Sequence, residues 1–519
     1  MRDVPPAMVR AWAHHLGIPV AEVDPDRLRQ QLTQGTIPQV LVSASERHPD
    51  ATLTVEDERI SFVALASRVG AQATVLSGMG VRPGAHVVIN APTSVAMVVG
   101  YLAALHLGAV VVLTNPDYTP TELAAVLDRA EPSLLLVHDG FVLAPDVPLL
   151  RFGALAAAAE DAPEAPASTV RSDDVALLAF TSGTTGKPKG VPLTHGQLLS
   201  SIRAAMLAWR WSSADTLVHA LPLFHQHGLS GIHASLVAGS SAVILAKFDP
   251  ERLIATAARE QATIMFAVPS IHQRLVALDA ERLAVLRSLR LITSGSAPLP
   301  ASVARAFEEK VGTLPLERYG LTETGLNLSN SYAGERVLGT VGSPLPGVEV
   351  DLTDPRGRPV GVGEEGEIVL RGPQIFDGYL DDPAATDAAF WAEGWFRTGD
   401  LGRWDCEGRL TITGRLKDLV ITGGMNVTPT EVEGVVELLP GVREAAVAGL
   451  PSETWGEEVA AWVVPDVAGA VDAEQVITHC RRHLAAYKCP KQVFFVEELP
   501  RNAMGKITRA ALRRPNADA

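Results

Sequence analysis

From Ile60 to Thr293 the sequence keeps changing period, helical spacing of apolar residues giving way to short, nearly continuous apolar runs and back again. Ser61–Met79 and Glu122–Ala130 read as helices. His86–Asn90, Ser133–His138, Leu217–Leu221, Ala242–Ala246, Thr263–Val268 and Leu291–Thr293 read as strands. A strand that is apolar on both faces must be covered on both faces, and a helix between two such strands lets them run parallel. The alternation therefore predicts an α/β fold with largely buried sheets. One helix start is explicit: Thr119-Pro120-Thr121-Glu122 combines a capping-box pattern with proline at the first helical position.

At 519 residues the chain exceeds what one core accommodates and implies two to four domains or lobes. Between Val348 and Ile412 the pattern becomes short strands with turns, such as Gly366-Glu367-Ile368-Val369-Leu370, which predicts a smaller β-rich lobe. After Arg415 a new unit begins, with strands near Ala445–Ala448, Val459–Val464 and Val493–Val496 and a helix near Val476–Leu484. Residues 1–36 read as polar and irregular apart from a helix near Val9–Leu16, and Ala154–Thr169 as an exposed Ala/Pro-rich connector. Val95–Leu113 carries no formal charge and approaches the length of a membrane span. Gly100, His106 and Gly108 interrupt it, and it ends in Ala109-Val110-Val111-Val112, so a buried helix followed by a buried strand is expected and no membrane span.

The balance of 44 Lys and Arg against 59 Asp and Glu gives −15, which argues against nucleic acid as a partner. Cys406, Cys480 and Cys489 show no CxxC spacing and are odd in number, as expected of a reduced, cytoplasmic protein. The first residues, MRDVPPAMVRAWAHHLG, lack the apolar core of a signal peptide. A chain this acidic that binds a polyanion must concentrate positive charge locally. Thr181-Ser182-Gly183-Thr184-Thr185-Gly186-Lys187-Pro188-Lys189-Gly190 does so directly after the apolar run Val175–Phe180. Glycines let backbone N–H groups approach an anion, hydroxyls donate hydrogen bonds, and lysines supply charge. It is not the common P-loop: only Thr184 and Thr185 separate Gly183 from Gly186-Lys187, and Pro188 stands where a hydroxyl would meet magnesium.

The loop resembles the signature of the adenylate-forming superfamily of acyl-CoA synthetases, adenylation domains and beetle luciferases. Further segments resemble the same family in the same order: Pro222-Leu223-Phe224-His225-Gln226-His227-Gly228, Ser294-Gly295-Ser296-Ala297-Pro298-Leu299, Arg318-Tyr319-Gly320-Leu321-Thr322-Glu323, Gly394-Trp395-Phe396-Arg397-Thr398-Gly399-Asp400, Gly414-Arg415-Leu416-Lys417-Asp418 with Gly423-Gly424, and Pro500-Arg501-Asn502-Ala503-Met504-Gly505-Lys506. The likeness covers nearly the whole chain beyond about Pro38. It implies a large N-terminal domain, residues 1–416, of two α/β subdomains plus a small β-rich lobe, holding ATP and an acid. It also implies a small mobile α+β C-terminal domain, residues 417–519, carrying the catalytic lysine.

The resemblance implies that a carboxylic acid attacks ATP to give an acyl-adenylate and pyrophosphate, and that CoA then gives an acyl-CoA and AMP. Thr181, Ser182, Gly183, Thr184, Thr185, Gly186, Lys187 and Lys189 would hold the triphosphate. Gly295, Ser296 and Ala297 would wall the adenine, beside Tyr319 and Gly320. Thr322 would lie at the α-phosphate, and Glu323 would contact Mg2+. Asp400 would accept from the ribose hydroxyls, with Arg415 as a second ribose or phosphate contact. Lys506 would bridge carboxylate and α-phosphate. Lys417 would be the hinge, and Gly423 and Gly424 would line the pantetheine channel. His225 would be the aromatic gate of the acyl pocket. The histidines at 219, 225, 227 and 233 lack the glutamate partner and tight spacing of a helical zinc motif.

Val268–Arg274, Leu328–Tyr332 and Gly334–Gly342 look most like the malonyl-CoA and oxalyl-CoA synthetase branch, in which an arginine near Arg274 meets the distal carboxylate. A small diacid and a larger hydrophobic, aryl or terpenoid acid both stay open. Two other functions remain beside the CoA ligase: a free-standing adenylation enzyme loading a carrier protein in trans, and a non-catalytic nucleotide-binding protein.

Overall fold

The computed structural model describes residues 4–143, 145–181, 189–452, 454–501 and 506–512. They divide into two compact units: one of residues 1–350 and 370–396, the other of 351–369 and 397–519.

The first unit holds two sheets. In the six-stranded sheet, Leu149–Arg151, Leu134–Val137, His86–Asn90, Val110–Thr114 and Val175–Thr181 lie side by side in parallel, and Lys189–Thr194 closes the edge antiparallel to Val175–Thr181. The nine-stranded sheet has a parallel centre, Leu316–Leu321, Leu291–Ser294, Ile264–Ala267, Thr216–His219, Ser241–Ile244 and Thr52–Val55. Antiparallel strands finish both its edges. The central strands are buried along their length, as Leu134–Val137 and Ile264–Ala267 illustrate, which is why they read as unbroken apolar runs.

The charge-free stretch resolves into helix Val95–His106 and strand Val110–Thr114, and no helix among the described residues is long and apolar enough to cross a membrane. The capping box at Thr119 forms as expected, Thr119 Oγ1 accepting from the Glu122 N–H while the Glu122 carboxylate accepts from the Thr119 N–H.

Two sequence expectations need correction. The helix expected near Val9–Leu16 forms as Pro6–Leu16, but the rest of residues 4–36 is not irregular: Pro25–Thr33 is a second helix, and Trp12 is fully buried with its indole N–H donating to the Val348 carbonyl at 2.9 Å. Their polar faces masked a short apolar stripe of Trp12, Ala13, Leu28 and Leu32. The connector at 154–169 begins inside helix Phe152–Ala159, anchored by buried Phe152 and Leu155.

The second unit contains strand Trp395–Trp404 from Arg397 onward, antiparallel to Leu410–Arg415 in a register that places Asp400 opposite Arg415. It also contains a separate sheet of Met425–Val427, Val420–Thr422, Gly456–Pro465 and Val442–Ser452, with Gln492–Phe495 parallel to Gly456–Pro465. Helices Pro429–Val436 and Ala473–His483 help close a core of Val432, Val436, Val447, Val459, Val476 and Cys480. The fold class is thus α/β, with a large N-terminal and a small C-terminal part.

Candidate active site

Three clusters gather most of the described residues singled out in the sequence. Ser182, Gly183, Thr184, Thr185, Gly186 and Lys187 lie outside the described residues, but both flanks of their loop are seen. Thr181 and Lys189 face each other as the last pair of the antiparallel ladder.

The first cluster joins that loop's end to the Thr322-Glu323 turn. Thr322 and Glu323 occupy the tight connection between strands Leu316–Leu321 and Gly325–Ser329. A Cβ on Gly320 would sit 2.1 Å from the Gly325 carbonyl oxygen, so only glycine fits this turn. Tyr379, which the sequence reading passed over, donates from its hydroxyl to Glu323 Oε1 at 3.1 Å. Lys189 Nζ stands 4.7 Å over the Tyr379 ring, a cation–π contact. Burial first, and then Glu323, push the phenol's pKa up, so it remains a donor. Glu323 presents hard oxygen, and among the described residues no cluster of three or more His, Cys, Asp or Glu is disposed to hold a metal. One carboxylate completed by phosphate oxygens and water is a donor set that suits Mg2+.

The second cluster lies at the end of strand Leu291–Ser294. Ser296 has φ +71, and its hydroxyl sits 3.1 Å from His227 Nδ1. Gly295 meets the Arg318 guanidinium so closely that a Cβ would lie 2.5 Å from Cζ. Arg318 is 7% exposed, and burial alone pulls its pKa down to about 9, so it stays cationic at neutral pH. No carboxylate among the described residues offsets that burial. An arginine so deeply buried normally has an anionic partner. Arg318 was legible as part of a motif, but its missing counter-ion was not.

His225 begins helix Gln226–Ala238 with its ring 4.6 Å from Phe224, and burial lowers its pKa to about 4. His219 stacks on Phe266, and buried His233 pairs with the Tyr101 hydroxyl at 2.9 Å. Burial lowers the pKa of all three, so they pack as neutral rings. Arg274 is exposed, its guanidinium 4.6 Å over Phe248.

The third cluster belongs to the second unit. Asp400 is 2% exposed, and Arg415 grips it with two nitrogens: Nε lies 2.5 Å from Oδ1 and Nη2 lies 3.3 Å from Oδ2. Lys506 lies in the electrostatic field of this pair and of Lys417 and Asp418. Burial, followed by repulsion from Arg415, lowers its pKa to about 8, against an opposing pull from Asp400. Lys417 is exposed in the turn Leu416–Asp418. Gly423 and Gly424, with φ +57 and +78, form the two-residue turn between Val420–Thr422 and Met425–Val427. The Gly423 N–H donates to the Trp455 carbonyl at 2.8 Å.

Two family models match this chain: the AMP-binding enzyme model over residues 41–380, and the AMP-binding enzyme C-terminal domain over 431–506. The chain belongs to the AMP-binding enzyme family. It is 36% identical to 3-[(3aS,4S,7aS)-7a-methyl-1,5-dioxo-octahydro-1H-inden-4-yl]propanoyl:CoA ligase of Mycobacterium tuberculosis, over 92% of this chain and 98% of that one. It is also 36% identical to feruloyl-CoA synthase of an Amycolatopsis species, over 88% and 94%. Among solved structures it resembles ATP-bound MatB from Rhodopseudomonas palustris, with a TM-score of 0.86 and 38% identity over 92% of this chain and 98% of that one. It likewise resembles o-succinylbenzoate CoA synthetase from Bacillus subtilis in complex with its acyl-adenylate, with a TM-score of 0.85 and 31% identity over 92% and 98%. This chain is accordingly an ATP-dependent, AMP-forming acid–thiol ligase that makes an acyl-CoA through an acyl-adenylate.

Proposed function

We propose that the acid activated here carries a second anionic or strongly polar group at its distal end, which meets Arg318. The observation that carries this reading is the buried guanidinium without a described counter-ion, set beside His227 and Ser296. A carboxylate there would offset the burial of the cation and fix the orientation of the chain. A purely hydrophobic acid would leave it unpaired. Two relatives, oxalate–CoA ligase of Arabidopsis thaliana and 2-succinylbenzoate–CoA ligase of Bacillus licheniformis, are named for diacids. Arg318→Met, assayed against malonate, succinylbenzoate and matched monoacids, should lose diacid activity by about 10²-fold or more, the scale expected when a buried charge loses its partner. It should spare or improve the monoacids. Equal loss on both classes contradicts the assignment.

The remaining roles follow the chemistry of the two steps. A carboxylate must approach an α-phosphate of like charge while pyrophosphate departs, so the protein's task is positioning and charge stabilisation. Thr181 to Lys189 cradle the triphosphate, and Thr322 donates near the α-phosphate. Glu323, oriented by Tyr379, would hold Mg2+, which supplies charge neutralisation on the phosphates. Asp400 accepts from the ribose hydroxyls, with Arg415 holding that carboxylate in place through two nitrogens. Lys506, as the ammonium, bridges the two anions in the first step and withdraws in the second. Rotation about Lys417, with the mobile part starting there, then brings the Gly423-Gly424 turn to the incoming thiol. His225 borders the acyl group. Three free thiols fit a reducing, cytoplasmic setting.

A further inference from the structure

Arg509 stands three residues beyond Lys506, and none of the roles above falls to it. Its Nη2 donates to both carboxylate oxygens of Glu433, at 2.8 and 2.7 Å. Its Nε donates to the Val447 carbonyl at 3.2 Å, and its Nη1 lies 3.5 Å from Asp418 Oδ2. Glu433, 8% exposed on helix Pro429–Val436, also accepts from the Val447 N–H at 2.7 Å. One guanidinium therefore ties together the segment that carries Lys506, the first helix of the small unit, a core strand, and the turn that contains Lys417. On the apolar side of the same segment, Ile507 and Leu512 pack with Trp462 and Leu499, and the Thr508 N–H donates to the Pro500 carbonyl at 2.8 Å. Asp418 acts on Lys506 as well as on Arg509. Without Arg509, that carboxylate would be a competing partner for the Lys506 ammonium.

We propose that Arg509 is a positioning residue for the adenylation step. It locks the Lys506 segment onto Glu433 and occupies Asp418, so that Lys506 stays directed at the reacting anions. The inference rests on the role given to Lys506 above. A residue that only stabilised the small unit would affect both half-reactions alike. A residue that aims Lys506 affects only the step that uses it.

The test measures the half-reactions separately: acid-dependent pyrophosphate release from ATP, and thioester formation from CoA and a supplied acyl-adenylate. Arg509→Gln should slow the first by about 10-fold to 10²-fold, the range that a misplacement of about 1 Å produces, and leave the second within about threefold of the parent. Removing the guanidinium leaves a buried carboxylate, so Arg509→Gln combined with Glu433→Gln serves as the variant that keeps the fold without stranding a charge. It should show the same selective loss with an unchanged thermal transition. Arg509→Lys should recover part of the adenylation rate. Lys506→Ala is run alongside: if it too spares adenylation, the role of Lys506 itself fails. If Lys506→Ala loses adenylation while Arg509→Gln and the double variant retain it, or lose both steps equally, the positioning role is overturned.

Discussion

Replacing Lys506 by methionine should make the protein more stable while ending adenylate formation. The ammonium is partly withdrawn from water beside Arg415, and its pKa falls from 10.5 to about 8. At 1.36 kcal/mol per unit the shift corresponds to at most ~3 kcal/mol of unfavourable charge burial at neutral pH. The side chain keeps some solvent contact, and screening reduces the figure to about 1–2 kcal/mol. The sign follows from proton binding. Between the two values the unfolded chain binds more protons than the folded one, so parent stability rises with pH across that window. The gain from Lys506→Met should thus be fully present below about pH 8 and shrink as pH climbs towards 10.5. Thermal or urea unfolding of parent and variant at pH 7 and pH 9.5, under otherwise equal conditions, reads it directly. A variant equally stable or less stable at pH 7, or a gain that does not shrink, refutes the buried-cation argument. The same titration predicts that parent adenylation declines above about pH 8, where the free enzyme loses the ammonium.

Tyr379→Phe removes the donor to Glu323 and keeps the ring under Lys189. A hydrogen bond to a charged group contributes roughly 1.5–3 kcal/mol, so Mg·ATP affinity measured by calorimetry should fall about 10-fold or more. Unchanged affinity argues against orientation of Glu323 by Tyr379. Lys417→Pro freezes φ at the proposed hinge and should slow thioester formation far more than adenylation. An unchanged ratio of the two rates argues against a hinge there. Trp12→Ala empties a fully buried site and removes the donor to the Val348 carbonyl, and should cost about 3–5 kcal/mol in denaturant unfolding. A loss below about 1 kcal/mol would mean that the N-terminal helices are peripheral to the fold.

Much of the architecture was legible because its signals are local. Buried strands such as Leu134–Val137 declare themselves as apolar runs, and Thr119-Pro120 with Glu122 announces a helix start. The paired glycines at 423 and 424 meet a turn that requires two positive φ angles. Helix Pro25–Thr33 and the burial of Trp12 were missed because Trp12 and Leu32 bury against distant segments, which local polarity does not reveal. Within the candidate site, the motifs pointed to the Thr322-Glu323 turn, Asp400 and Lys506 as expectations. They did not reveal that Tyr379 serves Glu323 across 56 residues, or that Arg509 reaches Glu433 across 76. Strand period says which face a side chain takes but not which partner waits there, so the counter-ion missing from Arg318 appears only once the strands are paired. Arg274 lay in a helix of the right motif style, yet it stacks on Phe248 at the surface.

The most direct test of the account follows acid-dependent pyrophosphate release with mass detection of products. The panel runs from malonate to long-chain, aryl and polycyclic acids, each with and without CoA. The protein should give an acyl-adenylate without CoA and, once CoA is added, an acyl-CoA plus AMP, with acids bearing a distal polar group preferred. An acyl-adenylate that persists in the presence of CoA would contradict it and point to a carrier-protein thiol as the acceptor.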